Sequence, residues 1–145
     1  MNIFNRSISV NIITEDKKTA TIVGVFLDTY HEICLTLTAD LDTFNILTSV
    51  GEFRRTPHDD CHQCESLIPN LAGISFGPGI GKRIAAAVGM ESGCTHLSDL
   101  AMECIKSLFQ GKYTLLHLTQ HPDETNSQVY AYLKGTCYHY QVIEE

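Results

Sequence analysis

The sequence predicts an α+β domain, an N-terminal antiparallel β-meander followed by helices. Three observations lead there. The first third consists of period-2 apolar segments joined by short polar links, the pattern of hairpin-connected strands. From Thr95 onward apolar residues recur at helical spacing. The chain has 145 residues, 43% of them hydrophobic, enough to build one core. Residues 1–145 are therefore expected to form a single domain, with 112–145 as a C-terminal extension.

The elements follow in order. Ile8, Val10 and Ile12 alternate with Ser9, Asn11 and Ile13 in the first strand. Glu15-Asp16-Lys17-Lys18 makes a polar turn, and a β-branched run from Thr19 to Leu27 forms the second. The third spans about His31 to Ala39, with Ile33, Leu35 and Leu37 on one face and Cys34, Thr36 and Thr38 on the other. Asp40-Leu41-Asp42 turns the chain into a fourth run containing Phe44, Ile46 and Val50. The polar stretch Arg54–Asp60 ends the sheet, and a short helix is expected from Cys61 to about Asn70. Gly73, Gly77, Gly79 and Gly81 mark a glycine-rich connection. Ile80, Ile84, Ala87 and Val88 line one face of a short helix ending at Gly89.

The longest helix starts near Thr95. Leu97, Leu100, Ala101, Cys104, Ile105, Leu108 and Phe109 form its buried stripe, Asp99 and Lys106 suit its dipole, and Gly111 is its expected stop. Beyond it, Tyr113–Leu118 is a candidate strand and His121–Ser127 a loop. Tyr130, Tyr132, Tyr138 and Tyr140 alternate as strand residues do. This tyrosine-rich tail is core and interface material, compatible with a homo-oligomer.

Charge narrows the function. Ten basic against seventeen acidic residues give a net charge of −7, which argues against a nucleic-acid or anionic-membrane partner. No apolar run reaches membrane-spanning length, and Met1–Arg6 lacks a signal-peptide hydrophobic region. The expected compartment is the reducing cytoplasm. There six Cys are thiols, not disulfides: fillers, metal ligands or reactive groups.

Two clusters could carry chemistry. In Gly93-Cys94-Thr95-His96-Leu97 the thiol stands just before a helix, where unpaired N–H groups and the dipole favour a thiolate, with an imidazole two residues on. Soft-metal ligation and nucleophilic catalysis both use that pairing; the bland alternative is a small buried Cys and a capping His. In His58-Asp59-Asp60-Cys61-His62-Gln63-Cys64 the C-x-x-C spacing lets two sulfurs reach one tetrahedral ion. With Cys94 and His96 it makes a four-ligand zinc set, its rival being a redox dithiol. His31 shares a face with Ile33, Leu35 and Leu37; a lone His there is more often a satisfied boundary residue. Asp28 can orient its ring if the chain reverses between them. Gly77–Arg83 fails as a phosphate loop because Phe76 and Arg83 replace its glycine and hydroxyl. His117 and His121 fail as a zinc-protease pair because Leu118 stands where Glu is needed. Cys104 lies on the buried stripe as packing, and Cys34 and Cys137 have no sequence-local partner.

Taken together, Gly24…Asp28-Thr29-Tyr30-His31-Glu32-Ile33, Leu37-Thr38-Ala39-Asp40, Arg55…Pro57…Cys61, Leu71-Ala72-Gly73, Gly77 and Gly93-Cys94-Thr95-His96-Leu97…Asp99-Leu100 resemble a bacterial family, the domain of unknown function 2889, over roughly residues 6–110. The resemblance implies a compact α+β domain with Asp28, His31, Cys61, Cys94 and His96 as its polar marks, and no known activity. It draws His31, Cys61, Cys94 and His96 into one constellation and leaves Cys64 as an accessory ligand. The order of sheet and helices is also similar to that of iron–sulfur scaffold proteins, a likeness of fold alone.

The expectation is a cytoplasmic metal-binding domain with His31, Cys61, Cys94 and His96 as ligands and Cys64 as substitute. Zinc suits two sulfurs and two nitrogens; iron or an iron–sulfur cluster is the other choice. The alternatives are a metal-free thiol enzyme with Cys94 as nucleophile, His96 or His31 as base and Asp28 as orienter, and a structural domain in which these residues only pack.

Overall fold

The computed structural model describes residues Met1–Val142. Four antiparallel strands, β1 (Arg6–Ile13), β2 (Thr19–Asp28), β3 (Glu32–Asp40) and β4 (Ile46–Arg55), form one sheet in the order β1-β2-β3-β4. This is the expected meander. A 3-10 segment (Asp59–Leu71) follows, then α1 (Ile80–Val88), α2 (Thr95–Thr119) and α3 (Pro122–Leu133). The chain divides into two compact units, Met1–Phe109 and the part beginning at Gln110, with the boundary inside α2.

In the first unit the alternation translates directly into burial. Ala20, Ile22 and Phe26 of β2 and Ile33, Leu35, Leu37 and Ala39 of β3 face the core, all at most 1% exposed. Strand β4 departs from simple alternation: Ile46, Ser49 and Phe53 are buried while Val50 is exposed. The register with β3 shifts between Thr38 and Ala39 and again between Glu32 and Ile33, and each irregularity re-aims the side chains beyond it. The 3-10 segment secures this edge strand. Ser49 Oγ donates to the Ile68 carbonyl at 2.7 Å, and Glu65 accepts from the Phe53 N–H at 2.7 Å.

Leu97, Leu100, Ala101, Cys104, Ile105 and Leu108 of α2 are buried as the helical spacing requires. Close contact with the sheet depends on Gly24. A Cβ there would collide with Cys104 Sγ and stand 3.0 Å from Leu100 Cδ1, so only glycine admits the helix at this distance.

Several expectations for the C-terminal part are overturned. Gly111 does not stop α2; the helix continues to Thr119, because Leu115, Leu116 and Leu118 are good helix formers and one glycine costs only about 1 kcal/mol. Tyr113–Leu118 is therefore helix, not strand, and Lys106 is mid-helix, paired with Glu103 at 3.0 Å. His121–Ser127 is not a loop. Pro122 occupies the first turn of α3, where its missing N–H costs nothing, and His121 caps the helix by accepting from the Asp123 N–H. Tyr130 and Tyr132 lie on α3, while Tyr138 and Tyr140 lie in irregular chain after Gly135, whose φ is 77°. Of the predicted tail, residues 143–145 lie outside the described residues. No helix among the described residues is long and apolar enough to cross a membrane.

Candidate functional site

The site begins with the turn between β2 and β3. Asp28 ends β2, and its backbone N–H donates to the His31 carbonyl at 2.9 Å, so the chain reverses within four residues. The Asp28 carboxylate stabilises that reversal. Its Oδ1 accepts from the N–H of Tyr30 at 2.8 Å, from the N–H of His31 at 2.7 Å and from His31 Nδ1 at 3.0 Å. A carboxylate is only an acceptor, so His31 Nδ1 carries a proton, and in the neutral ring the lone pair is on Nε2. From outside the turn, Arg55 Nη2 donates to the carbonyls of Asp28 and His31 at 2.7 and 3.3 Å. The hairpin thus presents one imidazole in a fixed tautomer and orientation.

Opposite it stands the start of α2. The Cys94 N–H donates to the Val88 carbonyl at 2.8 Å and its carbonyl accepts from the Ser98 N–H at 3.0 Å, which puts Cys94 at the cap position. Gly93 is required for that approach, since a Cβ would strike the carbonyl oxygens of Val88 and Gly89. Two residues past Cys94, within the first turn of α2, His96 meets the hairpin. The His31 and His96 rings are 4.0 Å apart between centroids and tilted by 41°. Phe26 packs against His96 at 5.1 Å and meets His31 edge-on at 6.3 Å. Ligand atoms of Asp28, His31 and His96 all lie within 4.8 Å of one another. Cys94 Sγ is 4.0 Å from His96 Nδ1.

A further residue, Arg6, closes the cluster, and no local motif in the sequence marks it. Its Nη2 donates to Asp28 Oδ2 at 3.0 Å and lies 3.3 Å from His96 Nε2. Its guanidinium stacks over Phe26 at 4.9 Å. The signal was present in the hairpin: folding the chain about the polar turn at Glu15–Lys18 pairs Arg6 with Asp28 across β1 and β2.

Electrostatics follow from this packing. The Asp28 side chain is only 1% exposed. Burial opposes its ionisation, but the hydrogen bonds from Tyr30, the His31 ring and N–H, and Arg6 outweigh burial and hold its pKa well below the usual carboxylate range. Burial, then the neighbouring His31 and Arg6, lower the pKa of His96. Cys94 differs from expectation. The N–H groups of Leu97 and His96 favour its thiolate, yet burial is the larger effect and raises its pKa. Packing thus works against the lowering that a helix start alone predicts.

The remaining predicted ligands lie on the 3-10 segment. Three residues per turn put positions i and i+3 in register, so Cys61 and Cys64 share a face. Burial raises the Cys64 pKa, followed by the charges of Cys94 and Cys61, and Cys61 acts likewise on Cys94. The three sulfurs are thus electrostatic neighbours, but none belongs to the donor set formed by Asp28, His31 and His96. His62 pairs with Glu65 at 3.1 Å. All six cysteines are free.

Fold and site define an α+β domain in which a β-hairpin and a helix start bring two histidines, an aspartate and a cysteine together. The chain belongs to the family described as protein of unknown function (DUF2889), whose model matches residues 4–110. No curated protein and no solved structure matches the chain significantly.

Proposed function

We propose that this is a metal-binding domain, with the ion held by His31, His96 and Cys94 and with Cys61 as fourth ligand. The observation that carries the reading is the convergence of Asp28, His31 and His96 within 4.8 Å, flanked by the Cys94 sulfur 4.0 Å from His96 Nδ1. Bonds of about 2.3 Å to sulfur and 2.0 Å to nitrogen span roughly 3.5 Å in a tetrahedral site, so the sulfur and Nδ1 need to close by only about half an ångström. Asp28 is fully engaged by donors and serves as the orienter of His31, the supporting role a carboxylate plays behind a metal-bound imidazole. Two nitrogens and two sulfurs suit zinc, with iron or an iron–sulfur cluster as the other occupant and Cys64 as substitute ligand. Six free thiols fit a reducing cytoplasm.

Cobalt(II) titration tests this reading, because cobalt reports sulfur ligation through a charge-transfer band. The wild-type chain should bind with that band, and Cys94→Ala, which leaves Cys61 as the remaining sulfur ligand, should weaken it. A spectrum that is the same for wild type, Cys94→Ala and His96→Ala would overturn the assignment.

A thiol enzyme with Cys94 as nucleophile is the second reading. It is favoured by the same Cys94–His96 approach and by the two N–H groups at the sulfur, and opposed by the burial that keeps the thiol protonated.

A further inference from the structure

Arg6 presents a chemical conflict with any metal on His96. A guanidinium only donates hydrogen bonds, so the His96 Nε2 it faces at 3.3 Å must be the accepting nitrogen, and the proton of the neutral ring is on Nδ1. A metal on Nε2 would take the lone pair that Arg6 uses. A metal on Nδ1 would move the proton to Nε2 and set one donor against another. Either nitrogen gives the same result: the Arg6–His96 contact and a metal–His96 bond exclude each other.

Resting on the metal-binding reading, we propose that Arg6 is a resident cation that occupies the site when the metal is absent and is ejected when it enters. Three features of its placement fit that role. In the metal-free chain it pairs with the Asp28 carboxylate and faces His96 Nε2 at once. Its side chain is 40% exposed, so it can leave. It also lines a groove between β1 and α2 bounded by Ile8, Phe26, Asp99 and Glu103, where two carboxylates offer it new partners. The exchange makes metal affinity depend on a residue that is not a ligand: the ion must displace a charge-assisted hydrogen bond before it binds.

The test compares cobalt(II) affinity in the wild type and Arg6→Met, which keeps an unbranched side chain without the charge, with Arg6→Lys and Lys106→Met alongside. Losing one such bond as a competitor should tighten binding about tenfold in Arg6→Met. Arg6→Lys, which keeps the charge without the fork, should fall between. Lys106→Met removes a positive charge from the same groove without touching His96 and, since it also frees Glu103, should shift affinity far less than Arg6→Met does. Equal or weaker binding by Arg6→Met, or equal tightening by Lys106→Met, overturns the role of Arg6 while the metal reading stands. Failure of every variant and of the wild type to bind overturns both.

Discussion

His31 and His96 come from elements separated by more than sixty positions, yet their rings lie 4.0 Å apart. Two imidazoles at that distance resist double protonation, and burial, His31 and Arg6 together depress the pKa of His96. In the metal-free chain His96 should therefore titrate below the ordinary histidine value, as a ring-proton NMR titration will show. The sign for stability follows. The unfolded ring takes up its proton at higher pH than the folded one, so this contribution is lost as pH falls below about 6.5. His96→Gln should flatten that part of the stability curve.

Asp28 acts lower on the pH scale and in the same direction. Its folded pKa is depressed, so its stabilisation is complete above the unfolded carboxylate value, about 3.9, and is lost as pH falls through the folded one. Asp28→Ala removes the acceptor for two N–H groups, one imidazole and one guanidinium. It should cost about 3 kcal/mol at neutral pH by urea denaturation, and the acid limb of the profile should flatten.

Thiol labelling should separate the six cysteines. Cys137 is exposed and should react first with iodoacetamide. Cys104 is buried with its pKa pushed up to about 12 and should stay unlabelled until the protein unfolds. Cys94, with a raised pKa, should label slowly at neutral pH and faster as pH rises. Peptide mapping by mass spectrometry measures all three, and selective labelling of Cys94 at pH 7 would favour the thiol-enzyme reading instead.

Gly24→Ala should destabilise the domain by about 1–3 kcal/mol through overpacking, since the new methyl group collides with Cys104 Sγ. Cys104→Ala in the same chain should recover part of the loss. A double-mutant cycle in urea checks the coupling.

Much of this arrangement is legible in the sequence, for identifiable reasons. Strand alternation and the helical stripe from Leu97 depend on burial of one face, and burial leaves a periodic trace. Asp28, His31, Cys94 and His96 stand out because turn, cap and donor chemistry fall close together in sequence. The effect of burial on Cys94 does not show there: a helix N-terminus signals a lowered pKa, and only packing reveals the opposing term. Arg6 went without a role because its partners are reached through strand register and a helix some ninety residues away. Past Gly111 the tyrosine alternation misleads, since Pro122 begins a helix at the position where proline is best tolerated.

The central claim is that His31, His96 and Cys94 hold a metal ion. Elemental analysis of protein purified without added metal or chelator tests it most directly. About one zinc or iron per chain is expected in the wild type, largely lost in a chain carrying both His31→Ala and His96→Ala that still shows the wild-type far-UV spectrum. Wild-type protein with no stoichiometric metal, or with metal content unchanged by that pair of substitutions, would contradict it.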